Sequence, residues 1–272
     1  MHRLAEETRT SRSLGPTIAG DLEPANASTF NSVPLVQWLP GKISLAAIAG
    51  GKYDAEIRNY AMRVKAYRCS VLLSFGHEMN GPWWLWGRDY QSAASFVAAW
   101  RHIYNVFSRL GVRNVVWVWN PNVVSNFSNV AYPRAWWPGA KYVDMIALDG
   151  YYWSPDMTFD QIYSRTVAEL RSYARKPLFI AETGVYAGPG MAARVRNLFA
   201  GAAAMHMVGI VYFERKGHSD WRIVENSSAV GVFQNQAARW LRRGTALHAA
   251  PEYLNNHDVR LLYEAVVGLR WL

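Results

Sequence analysis

Short apolar runs alternate along the chain with longer segments whose apolar residues recur about every 3.6 positions. The runs are Val33–Trp38, Val71–Phe75, Val115–Trp119, Val143–Leu148, Leu178–Ala181 and Val208–Phe213. Their near-continuous apolarity predicts strands covered on both faces, as in a parallel sheet flanked by helices. Between them, Ile57, Tyr60, Ala61 and Val64 share one helical face, and Phe96, Trp100, Ile103 and Phe107 share another. Asp89 is the expected cap of the second helix and Gly111 its expected terminator. Thr158 is expected to cap a third helix, with Phe159, Ile162, Thr166 and Leu170 turned inward. The Gly184–Gly190 stretch, with Pro189, reads as a loop before a helix from Ala192 to Met205, and the residues from about Val232 to Leu272 read as a helical extension.

This alternation predicts the α/β class and, within it, a TIM (β/α)8 barrel. Six strands are visible where a closed barrel has eight. Only 32 residues precede Val33, and Pro16–Gly20 is the single candidate strand among them. The barrel is therefore expected to be incomplete at the amino end, its first strand or first βα unit short or missing. With no internal repeat and no linker, residues 1–272 read as one barrel domain.

Composition sharpens this picture. Hydrophobic residues make up 51% of the chain and charged ones 18%, which suits a single large core. Thirteen Trp and fifteen Tyr exceed what packing requires; about half are expected in the core, and the rest suit the apolar faces of sugar rings. The net charge of +9 permits a polyanionic partner, but the basic residues are scattered. Groups such as Arg239, Arg242 and Arg243, or Arg171 and Arg175, read as solvated helix faces, so no nucleic-acid partner is expected. The lone Cys69 excludes an internal disulfide and reads as a buried small hydrophobe. No apolar run of about 18 residues exists, so no membrane span is expected. The first fifteen residues lack the apolar stretch of a secretory signal; on this reading the protein either stays in the cytoplasm or its start is truncated.

The chemistry concentrates where strands end. Val71–Phe75 runs into Gly76-His77-Glu78, followed by Trp83, Trp84 and Trp86. A carboxyl at the mouth of a buried strand beside His and Trp is a setting expected to raise its pKa and suit it to proton donation. Glu182 stands likewise at the end of Leu178–Ala181. The two acids lie 182 − 78 = 104 residues apart, about three βα units of roughly 35 residues, which puts them on opposite sides of a barrel mouth. Such a pair is the machinery of glycoside cleavage, and in the retaining form the carboxyls stand about 5–5.5 Å apart. Glu78 suits the acid and Glu182 the nucleophile. Tyr151, at the end of the intervening strand, is placed to orient Glu182, the alternative being a Tyr buried for packing.

Competing chemistries fail on spacing. No His follows three positions after Glu78, so the zinc protease motif is absent, and there is neither a Gly-x-Ser-x-Gly elbow nor a Gly-rich phosphate loop after a strand. No metal and no cofactor is expected.

Five motifs, His-Glu-Met-Asn-Gly-x-Trp-x-x-Trp-Gly at 77–87, Trp-Val-Trp-Asn-Pro-Asn at 117–122, Tyr-Val-Asp at 142–144, Leu-Asp-Gly-Tyr at 148–151 and Ala-Glu-Thr-Gly at 181–184, resemble glycoside hydrolase family 26 over about residues 33–225. That family consists of (β/α)8 barrels, mostly secreted endo-β-1,4-mannanases, with some acting on mixed-linkage β-glucan or xylan. The resemblance implies that Glu78 is the acid/base on the fourth barrel strand and Glu182 the nucleophile on the seventh. It also implies that His77 supports the acid and touches substrate, that Tyr151 holds the nucleophile, and that Trp83, Trp153 and Trp221 line the cleft. Two positions depart from the pattern: Ser74 stands where an Arg is common, and Leu39 where an acid is common. The resulting expectation is a monomeric retaining glycosidase acting on a polysaccharide, most readily β-mannan. The alternative is a non-catalytic relative that binds glycan through a Trp-lined cleft.

Overall fold

The computed structural model describes residues 35–67, 70–217 and 219–246, with only the backbone for 241–246. Pro16–Gly20, Val33, Pro34, Cys69 and the expected extension beyond 246 lie outside the described residues. The strands are β1 (Leu35–Trp38), β2 (Val71–Phe75), β3 (Val115–Trp119), β4 (Met145–Asp149), β5 (Leu178–Thr183) and β6 (Met207–Tyr212). They pair in sequence order and all in parallel. Among the described residues this makes an incomplete (β/α)8-type barrel of six strands.

The intervening helices are α1 (Leu45–Ala49), α2 (Asp54–Lys65), α3 (Ala93–Arg109), α4 (Phe159–Arg171), α5 (Met191–Ala204) and α6 (Ser227–Ala246). Alternation along the strands divides the apolar side chains into two sets. Trp38, Leu73, Phe75, Trp117, Trp119, Ile146 and Ile180 face the helices and join their buried faces in the large outer core. Leu72, Val118, Met145, Ala147, Phe179 and Ala181 form a separate inner cluster. Trp38, Trp86, Trp100, Trp117, Trp119, Trp136, Trp221 and Trp240 are all buried, so more of the tryptophan serves packing than its abundance suggests.

The sheet is strongly curled. In a flat sheet β1 and β5 would lie four spacings, about 19 Å, apart, yet the Gln37 amide of β1 donates to Glu182 of β5 at 2.7 Å. Inner-face side chains from distant strands therefore meet over one mouth.

The local signals hold with two exceptions. Thr158 and Gln161 make the reciprocal capping box of α4, and Gly111 follows α3 in the left-handed region at φ +64°. The cap of α3 is Ser92, whose Oγ accepts from the Ser95 N–H at 3.1 Å; Asp89 lies a turn earlier and pairs with Arg88. The short helix α1 carries too few residues to show a period, and its N-terminal residue Leu45 is held by Gln91, whose Oε1 accepts from the Leu45 N–H at 2.6 Å.

Candidate active site

Beyond β2 the chain turns through two left-handed residues, Gly76 at φ +57° and Glu78 at φ +53°. A Cβ at Gly76 would meet Phe96 at 3.1 Å and Trp86 at 3.3 Å, so glycine is needed there on both counts. A glutamate in this region is strained by about 1–2 kcal/mol. It is held by its own N–H, which donates to the Asn120 carbonyl at 2.7 Å. The turn aims the Glu78 carboxyl inward, where it is 8% exposed. Its Oε2 accepts from the indole N–H groups of Trp83 at 2.7 Å and Trp84 at 2.8 Å, and its Oε1 accepts from Asn122 Nδ2 at 2.6 Å.

Glu182 reaches the same pocket by a bulge. Ala181 points inward, so simple alternation would turn Glu182 out toward the helices. The register between β4 and β5 shifts there: Leu148 pairs with Ile180 but Asp149 pairs with Glu182. The extra residue on β5 turns Glu182 inward and leaves Thr183 on the outer side, where it accepts from the Tyr163 hydroxyl at 3.2 Å. Glu182 Oε1 accepts from Gln37 Nε2 at 2.7 Å and Oε2 from the Tyr151 hydroxyl at 2.8 Å. Burial and then the Glu182 charge push the Tyr151 phenol far above its ordinary range, which keeps it a proton-bearing donor.

Between the two glutamates sits Asp149, fully buried. Its Oδ2 accepts from Asn120 Nδ2 at 2.7 Å, while Oδ1 has no partner. Burial, then Glu182, then Glu78 hold its carboxyl well above the usual carboxylate range, which favours its proton-bearing form. His77 completes the floor. It is buried, its ring packs edge-on to Trp84 at 5.3 Å and beside Trp86 at 5.9 Å, and its Nδ1 is unpartnered.

Ligand atoms of His77, Glu78 and Asp149 lie within 4.8 Å of one another, the one grouping among the described residues near enough to hold a metal. Glu78 already accepts three N–H bonds and the surroundings of Asp149 favour its neutral form, a set better suited to handling protons than to binding a cation.

The aromatic frame divides by exposure. Trp83 and Trp153 are 44% and 47% exposed and present ring surface outward. Trp221 is only 2% exposed. It packs edge-on to Trp153 at 4.8 Å and lies 5.0 Å from Tyr151, so it braces these two rings and offers little surface of its own. The glycine of Ala-Glu-Thr-Gly follows from this: a Cβ on Gly184 would come within 2.8 Å of the Trp221 ring.

Several contributors escaped the sequence reading. Asn80, fully buried, donates to the Asn122 and Ala131 carbonyls at 2.9 Å each and accepts from the Asn122 N–H at 2.9 Å, locking the loop after β2 to the loop after β3. Asn120, Asn122 and Asp149 each follow or end an apolar strand, which is the signal that could have found them. Ser74 lies on the inner face with a buried, unpartnered hydroxyl, beside Gln37 in register. Leu39 packs, partly buried, against the outer core.

Parallel strands delivering two glutamates from their carboxyl ends into one tryptophan-framed pocket define the class of the barrel glycosidases. Residues 47–199 match Glycosyl hydrolase family 26, and the chain belongs to that family. Endoglucanase H of Acetivibrio thermocellus is 31% identical over 217 residues, 75% of this chain. A protein named mannan endo-1,4-beta-mannosidase A and B, from Caldalkalibacillus mannanilyticus, is 36% identical over 122 residues, 42% of this chain. The chain spans 24% of the length of the first and 22% of the second. Among solved structures, the YdhT protein of Bacillus subtilis shares the fold with a TM-score of 0.62 and 16% identity, over 82% of this chain and 73% of that one. A family 26 beta-mannanase from Bacteroides ovatus has a TM-score of 0.53 and 16% identity, over 73% and 63%.

Proposed function

We propose that the protein is a retaining glycosidase that cleaves β-1,4-linked polysaccharide, foremost as an endo-β-mannanase. In the first step a Glu182 carboxylate oxygen bonds to the anomeric carbon while Glu78 passes its proton to the departing glycosidic oxygen. In the second, water attacks the same carbon as Glu78 takes back a proton and the bond to Glu182 breaks. The observation that carries the reading is the shared pocket: ligand atoms of Asp149 and Glu78 lie within 4.8 Å of each other, Asp149 pairs in register with Glu182, and Glu182 is held on both oxygens by the neutral donors Gln37 and Tyr151. The bias of Asp149 toward its neutral form limits the negative charge crowded between the two glutamates.

His77, beside Glu78 on the buried floor, is the proposed substrate contact nearest the acid. Trp83 and Trp153 are the proposed sugar-stacking surfaces, and Trp221 acts beneath Trp153. The substrate is a polysaccharide and the working unit a monomer. A second reading of specificity, β-glucan, is favoured by the longer alignment with the relative named an endoglucanase.

Assay on soluble mannan, mixed-linkage glucan and xylan separates these substrates. Glu78→Ala and Glu182→Ala are each expected to lower turnover by several orders of magnitude, with azide rescuing one variant alone. Undiminished turnover by either variant would sink the assignment, and inversion of the first-formed anomer by the wild type would exclude double displacement.

A further inference from the structure

We propose that Gln37 is a positioning residue whose side-chain amide holds the Glu182 carboxylate in the orientation and charge state that attack requires. The inference rests on reading Glu182 as the nucleophile. Gln37 is the single polar residue of β1 and stands on the inner face of the curled sheet. A polar side chain there carries a desolvation cost unless it is bonded. Its Nε2 finds Glu182 Oε1 at 2.7 Å, 145 positions away and across three intervening strands. That length is typical of a hydrogen bond to a charged acceptor.

The terminal torsion of a glutamate is broad and roughly twofold, so a single donor leaves its carboxylate free to swing. The Tyr151 hydroxyl takes Oε2 at 2.8 Å, and Gln37 takes Oε1. Together they fix the carboxylate plane. Both donors are neutral, so neither cancels the negative charge of a nucleophile, and the amide does not titrate. The neighbour of Gln37 in register is Ser74, a small inner-face residue whose hydroxyl makes no bond. A small side chain at that point leaves the path from β1 to the pocket open for an extended glutamine.

The test compares wild type, Glu182→Ala, Gln37→Met and Gln37→Ala on the glycan the wild type cleaves. Gln37→Met keeps the length of the side chain and removes the amide; Gln37→Ala opens space and serves if the thioether disturbs folding. For either variant kcat is expected to fall about 10- to 100-fold, the range for a hydrogen bond to a charged group. KM should stay within about twofold, since the amide acts through Glu182 rather than on substrate. The acid limb of the kcat/KM profile should move to higher pH, because a lost donor weakens the ionised form. A residue that served packing alone would lower the thermal midpoint and leave that limb in place. Wild-type kcat and an unmoved acid limb in a folded Gln37 variant, alongside an inactive Glu182→Ala, would overturn the role of Gln37 and spare the nucleophile. Full activity in Glu182→Ala, or no cleavage of any glycan by the wild type, would overturn both.

Discussion

Replacing Asp149 with Asn should make the protein less sensitive to pH, and the sign follows from the site. Asp149 is fully buried, bonded through Oδ2 to Asn120, and held well above the usual carboxylate range by burial, Glu182 and Glu78. Its folded-state pKa is therefore raised above the unfolded value of about 3.9. A raised carboxyl binds its proton in the folded chain after the unfolded chain has lost it. Its contribution to stability is complete below the unfolded pKa and is lost as pH rises through the folded one. Within that window each pH unit costs the wild type about 1.4 kcal/mol.

An asparagine keeps the shape, can still accept from Asn120 and does not titrate. The informative quantity is the stability of Asp149→Asn minus that of wild type, because carboxylates that do not interact with position 149 cancel. It should rise by about 1.4 kcal/mol per pH unit, starting near the unfolded carboxylate pKa. Urea unfolding at half-unit steps from about pH 4 to about pH 8, with extrapolation to water, measures it. A difference that stays flat across the whole range would refute the raised Asp149 carboxyl. So would a difference that falls, which would require a carboxylate ionised more readily folded than unfolded.

Tyr151→Phe removes the donor to Glu182 Oε2 without opening a large cavity, and kcat should fall about 10- to 100-fold; unchanged kinetics would show that the phenol only packs. Gly184→Ala places a methyl within 2.8 Å of Trp221, so the ring must move, and a destabilisation of about 1–3 kcal/mol by chemical denaturation is expected. The helix caps provide a paired control: Ser92→Ala should cost about 1 kcal/mol and Asp89→Ala less than half of that, and equal losses would contradict the assignment of the cap.

What could be read from the chain and what could not divide along a physical line. Strands and helices follow from period, and period is local: Val71–Phe75 and Val115–Trp119 have the bounds expected of them, and Phe96, Trp100, Ile103 and Phe107 are all buried on α3. An acid that ends an apolar strand is also a local signal, and both glutamates were visible by it. Asp89 and Ser92 show the limit of such signals. Both are good capping residues, and only the placement of the first turn against α1 and Gln91 selects between them.

The orientation of Glu182 is of another kind, because the alternation that reveals β5 predicts the wrong face for it. Only the shifted pairing with β4 turns the carboxylate inward, and a bulge of this sort depends on a neighbour that folds some thirty residues earlier in the chain. The partners that complete the site depend on still longer reach. Gln37 meets Glu182 because the sheet curls, and Asn120 meets Asp149 because the chain beyond β3 keeps running alongside β4, with Asn122 opposite Asp149. As isolated letters these are polar residues in apolar company, which the pattern marks as unusual without saying where their hydrogen bonds go. For an inner-face polar residue near a barrel mouth that question has few answers, since water is excluded below and apolar side chains fill the layer beneath. Gln37 finds Glu182 and Asn120 finds Asp149, and the pocket is the place where they meet.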